Sequence, residues 1–185
     1  VPLATMPGGR LVGDVVHSVL EKVLLSGQVF EASHDDIVQQ VAGLIEPAME
    51  KKQLEPHWLQ PLTSTLAICL TESLPIGGDE CRLSDIPSGK FAPEVPFLLR
   101  LGGAVEFSTQ ELANAFSLSS DVLLKNYASR VRAMSVSGLQ GFLAGFVDLV
   151  FEWNGKWFVA DYKTNFLGAN FADYRDAELD AAMFE

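Results

Sequence analysis

A chain of 185 residues, nearly half of them hydrophobic, is long enough to bury a sizeable core, and one globular domain is the expectation. Its formal net charge of −11 excludes a basic surface that holds nucleic acid by phosphate neutralisation alone, so any role on nucleic acid requires metal ions or other polypeptides. Two cysteines, Cys69 and Cys81, without CxxC spacing, exclude a cysteine zinc site and a four-thiolate iron–sulfur cluster; they and the lack of an apolar run near the roughly 20 residues of a membrane span point to a soluble cytoplasmic protein.

The chain opens on "VPLATMPGG" rather than an initiator Met and stops at "DAAMFE" within a helical pattern, which reads as part of something longer. From Leu11 to Ser26, apolar residues recur at Leu11, Val15, Val19 and Val23, with Val12, Val16, Leu20 and Leu24 beside them. That spacing predicts a helix with one broad core-facing stripe, and it places Asp14, His17 and Glu21 together on the opposite face. "SHDD" predicts the cap of a second helix over Ile37 to about Lys52. Pro61 suits the first turn of a third helix, over "LTSTLAICLTESL".

"PIGGDECRLSDIPSGK", Pro75 to Lys90, is rich in turn residues and reads as a long loop. "FAPEVPFLLRL" looks extended, with Pro93 and Pro96 arguing for an edge or irregular strand. "TQELANAF" and "SSDVLLKNYASRVRAM" read as helices, the latter with Ser120 or Asp121 near its start, and a last helix begins near Asp173. Between them, "GLQGFLAGFVDLVFEWNGKWFVADYKTN" holds two strand-like runs joined by Asn154-Gly155, a strong hairpin signal.

A type I′ turn centred on Asn154 and Gly155 sets the hairpin register so that Asp148 faces Asp161, with Cβ atoms about 4.5–5.5 Å apart. Alternation puts Lys163 on the same face as Asp161. The strands are apolar on both sides, with Phe146, Val150, Trp157 and Val159 beside the aspartates and Val147, Leu149, Phe151, Phe158 and Ala160 opposite, which implies a covered, central hairpin. Two close carboxylates repel, and a divalent cation removes the conflict. Oxygen ligands of this kind suit Mg²⁺, which activates a bound water, and Lys163 would position that water or neutralise charge on a phosphate. A solvated three-charge cluster at a sheet end is the other reading of the hairpin alone.

With "GGRLVGDVVHSVLE" upstream, the stretch "GFLAGFVDLVFEWNGKWFVADYKTNFLG" resembles the RecB-type nuclease domain of the PD-(D/E)XK superfamily. The resemblance spans nearly the whole chain and is sharp at these two segments. It implies an α/β fold with a PD-(D/E)XK restriction-endonuclease-like core, a mixed sheet flanked by helices, over residues 1–185. Asp148 matches the strand-borne acid, Asp161-Tyr162-Lys163 the (D/E)XK element, and His17 the metal-binding histidine of an N-terminal helix. By carry-over the metal ligands are His17, Asp148 and Asp161, helped by a backbone carbonyl next to Asp161, and Lys163 is the catalytic base or stabiliser.

Glu94 matches an acidic strand position in such relatives, though between two prolines it is equally readable as structural; Glu21 would orient His17 or reach a second ion. The implied activity is Mg²⁺-dependent exodeoxyribonuclease action in double-strand-break repair, with Mn²⁺ or Ca²⁺ substituting in binding. DNA and RecC-like and RecD-like subunits are the implied partners, with no membrane. Relatives continue past the hairpin into a long helix carrying a Gln and a Tyr and then further strands, so the chain is expected to be truncated at its C-terminus and weak as an isolated enzyme. The alternative is a nuclease-like module without chemistry that serves as a DNA-channel wall or docking scaffold. Directly paired aspartates leave little room for a sugar, which disfavours a glycosidase.

Overall fold

The computed structural model describes residues 9–27, 32–76, 78–101, 108–120, 122–134, 141–175 and 177–179. Helix α1, Arg10–Ser26, buries Val12, Val15, Val16, Val19, Leu20, Val23 and Leu24, and ends where Gly27 adopts φ 66° and returns its N–H to the Leu24 carbonyl. The predicted stripe is present except at Leu11, which is exposed. Helix α2, His34–Lys52, starts at His34 rather than Ile37, because Ser33 and Asp36 form a reciprocal capping box. Helix α3, Leu59–Thr71, follows a 3₁₀ turn over Pro56–Trp58 and carries Pro61 in its first turn. Helix α2 packs against both α1 and α3.

The segment expected to be a loop contains a small hairpin instead, β1 Leu74–Ile76 with β2 Asp79–Cys81, paired antiparallel as Leu74↔Cys81, Pro75↔Glu80 and Ile76↔Asp79. Its turn residues mark the connection, where Gly78 takes φ 93°, and Pro75 is tolerated because a two-stranded sheet has only edge strands. Leu83 and Ile86, beyond it, are buried.

Strands β3 Phe91–Leu101, β4 Gly141–Trp153 and β5 Lys156–Ala160 form the second sheet in the order β3-β4-β5. Asn154 at φ 49° and Gly155 at φ 75° make the expected left-handed pair, and the ladder runs from Trp153↔Lys156 to Leu149↔Ala160, the register that the turn dictates. Both strand pairs whose registers are described are antiparallel; the parallel pairing of a mixed sheet is not seen among the described residues. The hairpin is covered on one face only. Leu149 and Phe151 are buried with the helices, whereas Trp157 and Val159 are 67% and 70% exposed, which corrects the expectation of a hairpin covered on both sides. The strand β4 is central and β5 is an edge.

The chain divides into two compact units, Val1–Val95 with Val147–Tyr174, and Pro96–Phe146 with Arg175–Glu185. The first holds the main core, in which Ile37, Val41, Ile45, Leu62, Leu66 and Leu70 of α2 and α3 meet the α1 stripe and Leu149 and Phe151. Within the second, α4 Thr109–Ser117 and α5 Val122–Ala133 pack on each other around Ala113, Ala128 and Val131. Near Asp173, where a helix was expected, Phe171–Tyr174 form a 3₁₀ turn; 177–179 are helical, and the remainder of that expected helix and the Asp121 cap lie outside the described residues. Among the described residues no helix is long and apolar enough to cross a membrane.

Candidate metal centre

His17 lies on the α1 face opposite the core stripe, and packing of that stripe fixes where the imidazole points. Its Nε2 is 3.1 Å from the main-chain carbonyl of Tyr162. A carbonyl oxygen only accepts, so Nε2 carries the ring proton, and Nδ1 is left facing carboxylates: Asp148 Oδ1 at 3.5 Å and Glu94 Oε1 at 3.8 Å. Asp14, one turn before His17, is occupied elsewhere, by the Lys52 ammonium at 2.5 Å on α2, which holds its carboxyl below the usual carboxylate range.

Asp148 is the residue of β4 directly before the last ladder pair, Leu149↔Ala160. The chain leaves the ladder after Ala160, and the Tyr162 N–H, instead of bonding to a strand carbonyl, donates to Asp148 Oδ2 at 2.7 Å. One carboxylate thus anchors the outgoing backbone with one oxygen and offers the other to the cluster. Only 11% of its side chain is exposed, so its charge sits largely out of water.

Glu94 enters the cluster by a distorted backbone. It has φ 49° within β3, between Pro93 and Pro96, a left-handed state that costs a non-glycine residue about 1–3 kcal/mol. Such a residue breaks strand alternation and re-aims its side chain. Apart from the resemblance, which matches Glu94 to an acidic strand position, its sequence signal is an acid in a strand interrupted by two prolines.

His17 Nδ1, Asp148 and Glu94 offer ligand atoms within 4.8 Å of one another. Two donors about 2.1 Å from one ion can stand at most about 4.2 Å apart, and both separations from Nδ1 fall inside that limit. The separations from Nδ1 also exceed a direct hydrogen bond. Two carboxylates that face one ring nitrogen repel each other, and a divalent cation of hard or borderline character held between them and the imidazole relieves that conflict. The chemistry of the donor set, one imidazole nitrogen and two carboxylates, therefore fits such an ion.

Asp161 and Lys163 take a different position. Their side chains pair with each other, about half exposed, and Asp161 does not join the His17–Glu94–Asp148 group. Between them Tyr162 points inward: its ring packs on the main core and meets the His17 ring edge-on, with centroids 5.6 Å apart at 80°. Burial, and then the charge of Asp148, push the Tyr162 phenol well above its ordinary range. Its hydroxyl is buried without a hydrogen-bond partner among the described residues. All three residues border an apolar cavity of about 400 Å³ whose walls include Val16, Leu66 and Phe158.

No family model matches the chain. Proteins named RecBCD enzyme subunit RecB match it over nearly its whole length. That of Haemophilus influenzae is 28% identical over 178 residues, 96% of this chain and 13% of the relative. That of Borreliella burgdorferi is 25% identical over 95% of this chain and 14% of the relative. That of Mycobacterium tuberculosis is 29% identical over 98% of this chain and 17% of the relative. The chain is thus an α/β polypeptide spanning about one seventh of the length of these curated relatives, and it is similar to a segment of the RecB subunit of bacterial RecBCD enzymes.

Proposed function

We propose that the chain is the nuclease region of a RecB-type protein, with a PD-(D/E)XK core that hydrolyses DNA phosphodiester bonds with the help of a divalent cation, Mg²⁺ in the cell. The observation that carries this reading is the convergence of His17 Nδ1, Glu94 and Asp148 around one point, clipped by the Tyr162 backbone to the Asp161-Tyr162-Lys163 segment. The similarity to RecB subunits supports DNA as substrate and subunits of the RecC and RecD kinds as partners.

His17 and Asp148 would hold the cation, with Glu94 completing the described cluster and Asp161 supplying a further oxygen from the adjoining segment. When bound, the ion supplies Lewis-acid stabilisation of phosphate charge and a more acidic water. Lys163, paired with Asp161, would orient the attacking water or neutralise charge on the phosphoryl oxygens. The net charge of −11 offers no general attraction for DNA, which is consistent with a strand delivered by other domains or subunits.

The test is cleavage of end-labelled linear DNA by this chain and by a full-length RecB-type polypeptide carrying it. Mg²⁺-dependent release of nucleotides, abolished by chelator and restored by added metal, is the expected result for the full-length form, with weaker release from the chain alone. Cleavage that persists at the same rate in chelator would exclude the proposal.

A further inference from the structure

We propose that Tyr162, the central residue of the Asp161-Tyr162-Lys163 segment, is a positioning residue that sets the metal ligands through its buried ring; the proposal rests on the metal-site reading. Beyond Ala160 the chain is outside the ladder, and residues 161–168 have no regular structure, so strand hydrogen bonds do not fix Asp161 or Lys163. Tyr162 supplies what the ladder no longer does. Its N–H is bonded to Asp148 and its carbonyl to His17, so one residue ties together ligands carried by β4 and α1.

Each bond is directional, and each is only as fixed as the peptide that makes it. The ring provides that fixity: it packs on the main core and stands edge-on to the His17 imidazole. With residue 162 turned inward, its neighbours Asp161 and Lys163 are left half exposed. Further along the segment Thr164 lies in ordinary contact with Gly13 of α1, where a Cβ would come 3.4 Å from its Oγ1. Since the Tyr162 hydroxyl has no partner among the described residues, the ring rather than the oxygen does the positioning.

Tyr162→Phe and Tyr162→Ala separate these parts, with Ile45→Ala, at a buried α2 position, as a control that lowers stability away from the site. Mn²⁺ affinity is read by calorimetry well below each melting temperature. Tyr162→Phe is expected to bind within about twofold of the parent, and Tyr162→Ala about 10- to 100-fold more weakly, as when a ligand's outer support is removed. Ile45→Ala should melt earlier with unchanged affinity.

A second, metal-free readout is the ¹⁵N NMR spectrum of the His17 ring at about pH 8, where imidazole is ordinarily neutral. Proton occupancy of Nε2 should be retained in Tyr162→Phe and give way to averaged tautomers in Tyr162→Ala. An unchanged His17 spectrum in Tyr162→Ala overturns the proposal whether or not the chain binds metal. Parent-like Mn²⁺ affinity in that variant also overturns it, whereas absence of Mn²⁺ binding in the parent counts against the metal-site reading alone.

Discussion

Asp148→Ala is expected to lower kcat/KM for Mg²⁺-dependent DNA cleavage by about a thousandfold, a loss of about 4 kcal/mol of transition-state stabilisation. The size follows from two tasks on one side chain. Its Oδ1 faces His17 Nδ1 across the cluster, and its Oδ2 accepts the Tyr162 N–H, so truncation removes a charged ligand and frees the segment that carries Asp161 and Lys163. Asp148→Asn isolates the first task, because an amide oxygen can still accept from Tyr162 while the negative charge is gone. We expect it to fold as the parent does and still lose most activity. Initial rates at saturating Mg²⁺, beside thermal melts, check both variants; cleavage by Asp148→Ala within tenfold of the parent would remove Asp148 from the machinery.

Lys163→Ala should behave differently: kcat falls by about 10²- to 10⁴-fold, the range for a positioned proton-transfer group, while Mn²⁺ affinity stays within about threefold. Lys163 is not in the cluster; its ammonium pairs with Asp161, and both side chains are about half exposed. Removing the ammonium leaves Asp161 accessible to water, so the fold should lose little. A parallel loss of metal affinity and rate would mean that Lys163 acts by holding Asp161 in place rather than on the reacting groups.

Local chemistry made much of the fold legible. The valine-rich stripe of α1 and the Asn154-Gly155 turn each admit few conformations, and the turn alone dictated the register that puts Asp148 beside the outgoing segment. The second face of the hairpin misled, because Trp157 and Val159 read as buried while covering by other elements is a tertiary matter that strand alternation does not encode. Pro75 to Lys90 misled in the opposite sense: residues typical of loops also close short hairpins, and β1–β2 is one.

At the site, strand register put Asp148 beside the outgoing segment and helix periodicity put His17 off the core stripe, while only the resemblance singled His17 out as a ligand. Glu94 was matched by the resemblance, but its approach could not be read from periodicity, since it depends on a left-handed backbone between prolines. Nor did alternation foresee that the chain would leave the ladder after Ala160, which sets Asp161 against Lys163 and gives the Tyr162 backbone to Asp148 and His17. These departures from regular structure lie where the chemistry is proposed, the pattern expected of functional sites.

The most direct test of the central claim is calorimetric titration of Mn²⁺ into the chain, beside an Asp148→Ala/Asp161→Ala double variant. The account predicts saturable binding by the parent and its loss in the double variant. Equal binding in both, or negligible binding in both, would contradict a metal centre built on these residues.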